Sequence, residues 1–506
     1  MPLHILLLIV ILTLAAAPSR AEEIYLTHYL LDELDEAVIE VKAPRAGSLP
    51  SDRYFQPYYH STAREEVRKY HARVIVHEKE DGIKDMRDAL ALPVPSTATF
   101  ALAEGAGRFL LFSPLPLDLK RYSRSVVTTV VCLDQQRERI LWQDEAKSMT
   151  PSRVQRWPAP VRIALPDWCN VVRFSAETGP DTKAGKLWMA WDRPRVEQPA
   201  DTLDSARYNV LFIVVDALRS DVVGVHRTAC PAGAQARAER EAGGTTCPSG
   251  FANGNSTWLS MNTMLLGAHP RALGFLTLRW AGTDRRQWFY DQKPPYLTLL
   301  LHRAGYIAYG ATHNHLYFPG YKYGVDPGFD VLQDCSRDTR DHPILTARTV
   351  RFMKENKHRR FLAQVNLIGP HQPYTPPPEC RQRAKAALKG LDVMYDPNYL
   401  GEVCWVDEHV QQLVEALEQL GLRESTLVVL TADHGEVMDP LHDCFSARDG
   451  RRCRYLHGLT LFDEEINVPI MFSLPGLVQA EQVAPDVAPH VDIVPTILAL
   501  LGLARD

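Results

Sequence analysis

The sequence has no surplus of basic residues, no internal repeat and, after its first residues, no long apolar run. A formal net charge of -5 gives no electrostatic basis for binding nucleic acid, so we expect no such partner. No segment after residue 21 is apolar enough to cross a bilayer, so we expect no transmembrane span in the mature chain. With 506 residues, of which 45% are hydrophobic, the chain is typical of a protein with two or three folded domains.

The nine cysteines include no CxxC pair and no zinc-finger spacing. Disulfide bonds in an oxidising compartment are the better interpretation. Cys444 with Cys453, and Cys230 with Cys247, would each close a short loop, although spacing alone does not fix the connectivity. Because the count is odd, at least one thiol stays free or pairs between chains.

The first 21 residues read as a signal peptide. Residues 5–17 form a short apolar run, and Ser19 and Ala21 are small residues where a signal peptidase cleaves. The segment therefore predicts a secreted or periplasmic protein. Its flank MPLH lacks Lys and Arg, which leaves an uncleaved anchor as the alternative.

Residues 22–200 predict a β-rich accessory domain. Short β-branched or aromatic segments alternate with polar turns, a pattern typical of an antiparallel sandwich. These segments are 125–133, 139–142, 161–165, 171–174 and 187–191. The last is similar to the closing strand of galactose-binding-like modules. Trp188 and Trp191, three residues apart, would not share one face of a strand, so core packing is favoured over sugar stacking.

Two apolar segments in the second half each lead directly into potential metal ligands. Residues 210–215 run into Asp216, and residues 427–430 lead to Asp433 and His434. Such runs are typical of parallel strands buried on both faces, and ligands bind at the carboxyl ends of those strands. Carboxylates and neutral imidazole suit zinc or a comparable divalent ion. An acidic residue that only caps the next helix is the alternative for Asp216 alone.

A helix is predicted over 257–266, with Gly267 as its C-terminal stop. Ser256 or Thr257 lies at its start, where backbone N–H groups favour a tetrahedral anion. Most Ser and Thr residues at such positions are only N-caps. A threonine hydroxyl becomes a useful nucleophile when a metal lowers its pKa.

The order of motifs from residue 208 onward resembles the sulfatase and alkaline phosphatase superfamily. The motifs are VVDALRSD at 214–221, Thr257 ten residues before Gly267, GY at 305–306, GPHQPY at 369–374, ADHGE at 432–436, HG at 457–458, DEEINVPIMF at 463–472 and HVDIVPTILALLGL at 490–503. The resemblance implies an alkaline-phosphatase-like α/β domain over 201–506, with a sheet covered by helices.

The resemblance also implies roles for individual residues. Asp216, Asp433 and His434 would bind the metal, and Thr257 would be both nucleophile and metal ligand. His371 and His457 match histidines that contact anionic oxygens of the substrate or a second metal; a plain turn histidine is the alternative for His371. The second-rank candidates are His313, His315 and His442, while Asp463 and Asp492 are expected to support structure.

Departures from the family pattern bear on the reaction. Many sulfatases carry Cys or Ser at the nucleophile, then Pro and Arg two and four positions later, for conversion to formylglycine. This chain has Thr257, Leu259 and Met261 there, and Ala217 replaces a frequent second acidic residue. The nucleophile position is most similar to that of exported phosphoethanolamine and phosphoglycerol transferases.

We therefore predict an exported metal-dependent enzyme that hydrolyses or transfers a phosphate ester through Thr257. The metal is expected to be zinc, with calcium or manganese as alternatives. The substrate is a phosphate or sulfate ester, with a glycan or lipid head group as its carrier. Two alternatives remain open: a sulfuric ester hydrolase without formylglycine, and an inactive glycan-binding protein.

Overall fold

A computed structural model describes most of the chain. The described residues are 24–42, 55–57, 64–78, 83–118, 124–180, 187–199, 208–223, 244–247, 250–269, 271–272, 294–314, 325–335, 342–390, 394–445, 450, 452–478, 482–483 and 487–503. The signal-peptide prediction, Cys230 and His315 lie outside this part of the chain.

The first half is built almost entirely of strands. They are β1 (Tyr25–Tyr29), β2 (Val38–Val41), β3 (Phe55–Pro57), β4 (His71–His77), β5 (Lys84–Pro93), β6 (Ser96–Ala101), β7 (Phe109–Asp118), β8 (Ser125–Leu133), β9 (Glu138–Lys147), β10 (Val161–Ala164), β11 (Val171–Thr178) and β12 (Leu187–Pro199), with one short helix, α1 (Glu65–Arg68).

These strands pack as two layers. Strands β2, β6, β11, β8 and β9 form one antiparallel sheet, which faces β5, β7 and β12 of a larger sheet. Phe174 of the smaller sheet meets Phe112 and Trp191 of the larger one at ring-centroid distances of 5.5 and 5.0 Å. Trp188 belongs to a separate buried cluster on the other face of the larger sheet. The prediction that the two tryptophans do not share a face is therefore confirmed.

The second half alternates strands and helices. Its strands are β13 (Asn209–Val215), β14 (Gly244–Cys247), β15 (Gly250–Phe251), β16 (Ile307–Thr312), β17 (Val331–Asp334), β18 (Phe361–Leu367), β19 (Thr426–Ala432), β20 (Ile470–Ser473), β21 (Gln482–Val483) and β22 (Ala488–Pro489). Its helices are α2 (Thr257–Leu266), α3 (Leu297–Arg303), α4 (His342–Glu355), α5 (Pro378–Leu388), α6 (Pro397–Gln419), α7 (Asp463–Ile466) and α8 (Ile493–Leu500).

Five parallel strands form the centre of the large sheet, in the order β17-β16-β18-β13-β19. Every residue of β13 and β18 is buried, which accounts for the unbroken apolar run from Val210 to Val215 in β13. The mixed α/β class predicted from sequence is confirmed, and the strand predicted over 210–215 is β13.

The two halves share one sheet. Strand β5 pairs antiparallel with β17, so the strands of the first half continue the parallel centre. A buried ion pair crosses this junction, with Arg73 Nη1 2.6 Å from Oδ2 of Asp326. The domain boundary at 200/201 remains a prediction, but hydrogen bonding along the sheet does not stop there.

Two disulfide bonds are present among the described residues. Cys444 pairs with Cys453, which is one of the candidate pairings from the sequence, and Cys132 pairs with Cys169 inside the sandwich. Cys335, Cys380 and Cys404 are buried and belong to neither of these disulfide bonds. Within the described chain, no helix combines the length and apolarity that a membrane span requires.

Candidate metal and phosphoryl-transfer site

The parallel register brings three strand ends to one edge of the sheet. Val215 of β13 lies opposite Leu367 of β18 and Ala432 of β19, so the residues that follow emerge side by side. Asp216 follows β13, and Asp433 and His434 follow β19. All three side chains are fully buried. The predicted convergence of the two strand ends is therefore observed.

Each aspartate has one oxygen held by protein donors. Oδ1 of Asp433 accepts hydrogen bonds from the backbone N–H groups of Ala217 at 3.1 Å and His434 at 2.9 Å. Oδ2 of Asp216 accepts from the side-chain amide of Asn314 at 3.1 Å. These contacts fix the orientation of both carboxyl groups. The second oxygen of each group is not held by these donors.

The second oxygens face the imidazole of His434. Oδ1 of Asp216 and Oδ2 of Asp433 each lie 3.5 Å from Nε2 of His434, and neither has a hydrogen-bond partner in the described part of the chain. Nδ1 of His434 lies 2.9 Å from the carbonyl oxygen of Gly435, so it carries the proton and donates. Nε2 then presents a lone pair to two carboxylate oxygens.

This arrangement is electrostatically unfavourable without a cation. Burial, and next the charge of Asp433, raises the pKa of Asp216 well above its ordinary value. Burial raises the pKa of Asp433 to about 6 and lowers the pKa of His434 well below its ordinary value. The three ligand atoms lie within 4.8 Å of one another. The buried, unsatisfied oxygens and the neutral imidazole therefore fit a divalent metal ion.

Thr257 is the first residue of α2 and joins this cluster. Its Oγ1 lies 3.3 Å from Nε2 of His434, and the residue is only 5% exposed. The helix ends at Gly267, whose φ of 59° suits glycine, as the sequence predicts. Ser256 adopts extended backbone before the helix and makes no side-chain cap hydrogen bond. The hydroxyl placed at the metal ligands is therefore that of Thr257.

The two remaining predicted site residues form a row of rings with His434. His457 stacks on His434 at a centroid distance of 4.0 Å, and His371 meets His457 at 4.8 Å. Nδ1 of His457 lies 3.1 Å from Oε1 of Glu436. Burial alone would lower the pKa of His457, but Glu436 raises it above the ordinary value. His371 is half-buried at the outer end of the row.

Sequence reasoning missed three residues that position these side chains. Asn314 binds Asp216, Glu436 binds His457, and the hydroxyl of Tyr374 donates to Oε2 of Glu436 at 3.1 Å. Asn314 lies two residues beyond β16, at the same edge as Asp216, so the rule that identified Asp216 could have found it. Glu436 belongs to the ADHGE motif but was given no role.

The second-rank candidates that the structure describes make the following contacts. The ring of His313 is 5.3 Å from that of His342. Nδ1 of His442 lies 2.8 Å from Oε1 of Glu464, and its ring stacks on Phe462 at 3.7 Å. Asp463 begins α7 and is exposed, and Asp492 is likewise exposed at the start of α8.

Comparison with known proteins identifies the family of this chain. The sulfatase family model matches residues 208–503, so the chain belongs to the sulfatase family and is an enzyme of the sulfatase and alkaline phosphatase superfamily. An endo-4-O-sulfatase of Bacteroides thetaiotaomicron is 30% identical over 159 residues, which are 28% of this chain and 29% of that protein. An ulvan-active sulfatase of Formosa agariphila is 30% identical over 161 residues, with the same coverage of 28% and 29%.

The chain thus spans less than a third of the length of these curated relatives. Among solved structures, the phosphonate monoester hydrolase of Agrobacterium radiobacter aligns with a TM-score of 0.43 and 18% identity, covering 59% of this chain and 74% of that one.

Proposed function

We propose that this enzyme hydrolyses or transfers a phosphate ester, with Thr257 as the nucleophile. The observation that carries the proposal is the meeting of one hydroxyl, one imidazole nitrogen and two unsatisfied carboxylate oxygens in a buried cluster. A hydroxyl in that position is the group that a bound cation would activate.

The metal would be held by Asp216, Asp433 and His434, with Thr257 completing the set. Carboxylate oxygens and one imidazole nitrogen suit zinc better than calcium, which prefers oxygen ligands alone; manganese remains compatible. When bound, the ion supplies positive charge that favours the deprotonated hydroxyl and the anionic ester oxygens.

The protein side chains would then divide the reaction between them. Oγ1 of Thr257 loses its proton and forms a bond to phosphorus as the bond to the leaving oxygen breaks, and the leaving oxygen takes up a proton. His457, oriented by Glu436, and His371, whose ring meets that of His457, would hold the phosphoryl oxygens through ring N–H groups. Attack of water, or of an acceptor hydroxyl, on phosphorus then frees Thr257.

The residues around Thr257 favour phosphate over sulfate. Leu259 and Met261 replace the residues that accompany formylglycine formation in many sulfatases, and a threonine is not converted to that aldehyde. Mass spectrometry of the peptide that contains Thr257 should therefore give the unmodified mass. Hydrolysis of a sulfate ester on a glycan is the second candidate, because the two curated relatives are named as sulfatases, one of them active on ulvan.

The test is a set of initial-rate assays on zinc-loaded protein with nitrophenyl phosphate, bis(nitrophenyl) phosphate and nitrophenyl sulfate. We expect turnover of a phosphorus ester that falls by at least about 10³-fold in Thr257→Ala, since the nucleophile is lost. Thr257→Ser keeps the hydroxyl and is the matched control, so it should retain turnover.

Two outcomes would contradict the proposal. Turnover of the sulfate alone would favour the sulfuric ester hydrolase. No turnover of any ester, together with no bound metal and intact glycan binding, would favour the inactive glycan-binding protein. Export to the periplasm or medium is part of the proposal and is tested by N-terminal sequencing for cleavage after residue 21.

A further inference from the structure

A second polar cavity lies between the two halves of the protein. Its volume is about 510 Å³, and strands β5, β12, β16 and β17 and helix α4 contribute to its wall. Guanidinium groups dominate the lining: Arg87, Arg193, Arg195, Arg348, Arg351 and Arg359. The acidic side chains in the lining are Glu78, Asp85 and Glu355. The lining therefore carries more positive than negative groups.

The cavity lining is distinct from the metal cluster. It includes Ile307 and Tyr309 of β16 and Val331 and Gln333 of β17, whereas Asp216 and Asp433 follow β13 and β19. Strand β18 separates β16 from β13 in the sheet. The lining shares no residue with the metal cluster.

Most of the arginines have acidic partners. Arg87 binds Asp85 at 2.9 Å and Asp192 at 3.0 Å, and Arg193 shares Asp192 at 2.7 Å. Arg348 pairs with Glu78. These pairs keep the guanidinium groups in the wall and neutralise much of their charge.

The charge around Glu197 is not balanced in this way. Arg359 lies 2.5 Å from its Oε1, Arg162 lies 3.5 Å from its Oε2, and Arg195 lies 3.8 Å from its Oε1. One carboxylate thus faces three guanidinium groups. A cluster of this composition has an excess of about two positive charges, which a single dianion would neutralise.

Arg195 is the least compensated member of this cluster. Its side chain is 9% exposed, and its Nε has no hydrogen-bond partner in the described part of the chain. Burial, and next the charge of Arg193, lowers the pKa of Arg195. Nη1 of Arg195 donates to the carbonyl oxygen of Arg193 at 3.3 Å, so the protein satisfies only part of the donor capacity of this cavity-lining guanidinium.

We propose that this cavity binds a tetrahedral oxyanion, inorganic phosphate or sulfate, through Arg195 and its neighbouring arginines. Arg195 belongs to β12 of the first half, and Arg348 and Arg351 belong to α4 of the second. A bound oxyanion therefore bridges the halves and stabilises their junction. The site is separate from the metal cluster, so it does not depend on the reaction proposed above.

Thermal unfolding in increasing sulfate or phosphate tests the proposal, with sodium chloride added to hold ionic strength constant. The Tm of the wild-type protein should rise with the logarithm of anion concentration. Arg195→Gln should shift this dependence to at least tenfold higher anion concentration. Arg381→Gln, which removes an exposed arginine on α5, is the matched control and should respond as the wild type does.

Further measurements separate the possible outcomes. The inhibition constant of phosphate for turnover should be the same in Arg195→Gln as in the wild type, because the active site is unchanged.

Glucose 6-phosphate, tested beside the inorganic ions, shows whether the cavity binds a free oxyanion or an ester. A stronger effect of the ester on the Tm would overturn the choice of an inorganic ligand. If Arg195→Gln does not fold, Arg351→Gln, whose side chain is exposed at the cavity, should show the same direction of change. An unchanged Tm response in a folded variant would overturn the proposal.

Discussion

The imidazole of His457 stacks on that of His434, with the ring centroids 4.0 Å apart, so a ring outside the metal cluster is held directly against a ring inside it. Glu436 fixes the far side of His457 through Nδ1 at 3.1 Å. Glu436 therefore engages one ring nitrogen of His457, which leaves Nε2 as the nitrogen that could contact a substrate.

Replacing His457 with alanine should lower kcat/KM by roughly 10²- to 10⁴-fold, since an N–H that stabilises transferring oxygens is lost. The Tm should also fall, because the variant leaves the buried carboxylate of Glu436 without its imidazole partner. Initial rates and thermal unfolding of the same preparation check both statements. A variant with normal turnover and a lower Tm would instead assign His457 a structural role.

Asp216→Asn should stabilise the protein in the presence of a chelator. Its Oδ1 faces the carboxylate of Asp433 around one imidazole nitrogen, so removing one buried negative charge relieves repulsion in the metal-free state. Added zinc should raise the Tm of the wild-type protein but not of the variant, because a ligand is missing. Thermal unfolding gives the Tm of the wild-type protein and of Asp216→Asn, each measured with chelator and with zinc.

Protonation of His302, which lies at the junction of the two halves, should make the free energy of unfolding depend on pH. Burial alone would lower its pKa, but Asp32, Asp330 and Asp88 raise it to about 9. The raised pKa means that the folded state binds the proton more tightly than the unfolded state. The stabilisation is therefore complete below about pH 6.5 and is lost as the pH rises through 9.

The variant His302→Gln should lose roughly 1–3 kcal/mol of unfolding free energy at pH 6 and much less at pH 9.5. The lower end of this range reflects Asp32, whose side chain is 49% exposed and therefore screened by water. Urea unfolding of both proteins at the two pH values measures the difference. A loss of equal size at both pH values would indicate that the stacking of His302 on Tyr29, at 3.8 Å, matters more than its charge.

The two disulfide bonds should differ in their effect on activity. Cys444–Cys453 closes a short loop that leads directly to His457, and the N–H of Leu456 donates to the carbonyl of Cys453 at 3.0 Å. Replacing both cysteines with serine should cost about 2–3 kcal/mol of stability and also lower kcat. The matched control is the double serine variant of Cys132 and Cys169 in the sandwich, which should lose stability but keep its kcat.

The convergence of Asp216, Asp433 and His434 could be predicted because it depends on a local pattern. Apolar runs identify buried parallel strands, and the carboxyl ends of such strands meet at one edge. Thr257 could be placed because Gly267 marks the end of its helix and the motif order gives its position. Asn314 follows the same rule but was missed, since the strand before it contains polar Thr312 and is less obviously apolar.

Long-range pairings could not be predicted in this way. The contact of β5 with β17 joins segments more than 200 residues apart, and neither sequence specifies its partner. Cys132 and Cys169 likewise meet only because β8 and β11 are neighbours in the smaller sheet. The arginines around Glu197 come from separate segments that meet only in the folded protein, so the sequence does not predict this charge cluster.

The pairing of β5 with β17 also determines where the chain can be cut. Removing everything before residue 208 would expose the backbone N–H and C=O groups of Val331–Asp334 as a free sheet edge. It would also remove Arg73, the ion-pair partner of Asp326. Unprotected edges recruit other strands, so the excised family-matched segment is expected to self-associate. We therefore expect that pairing with β5 of the first half protects this sheet edge from association with other chains.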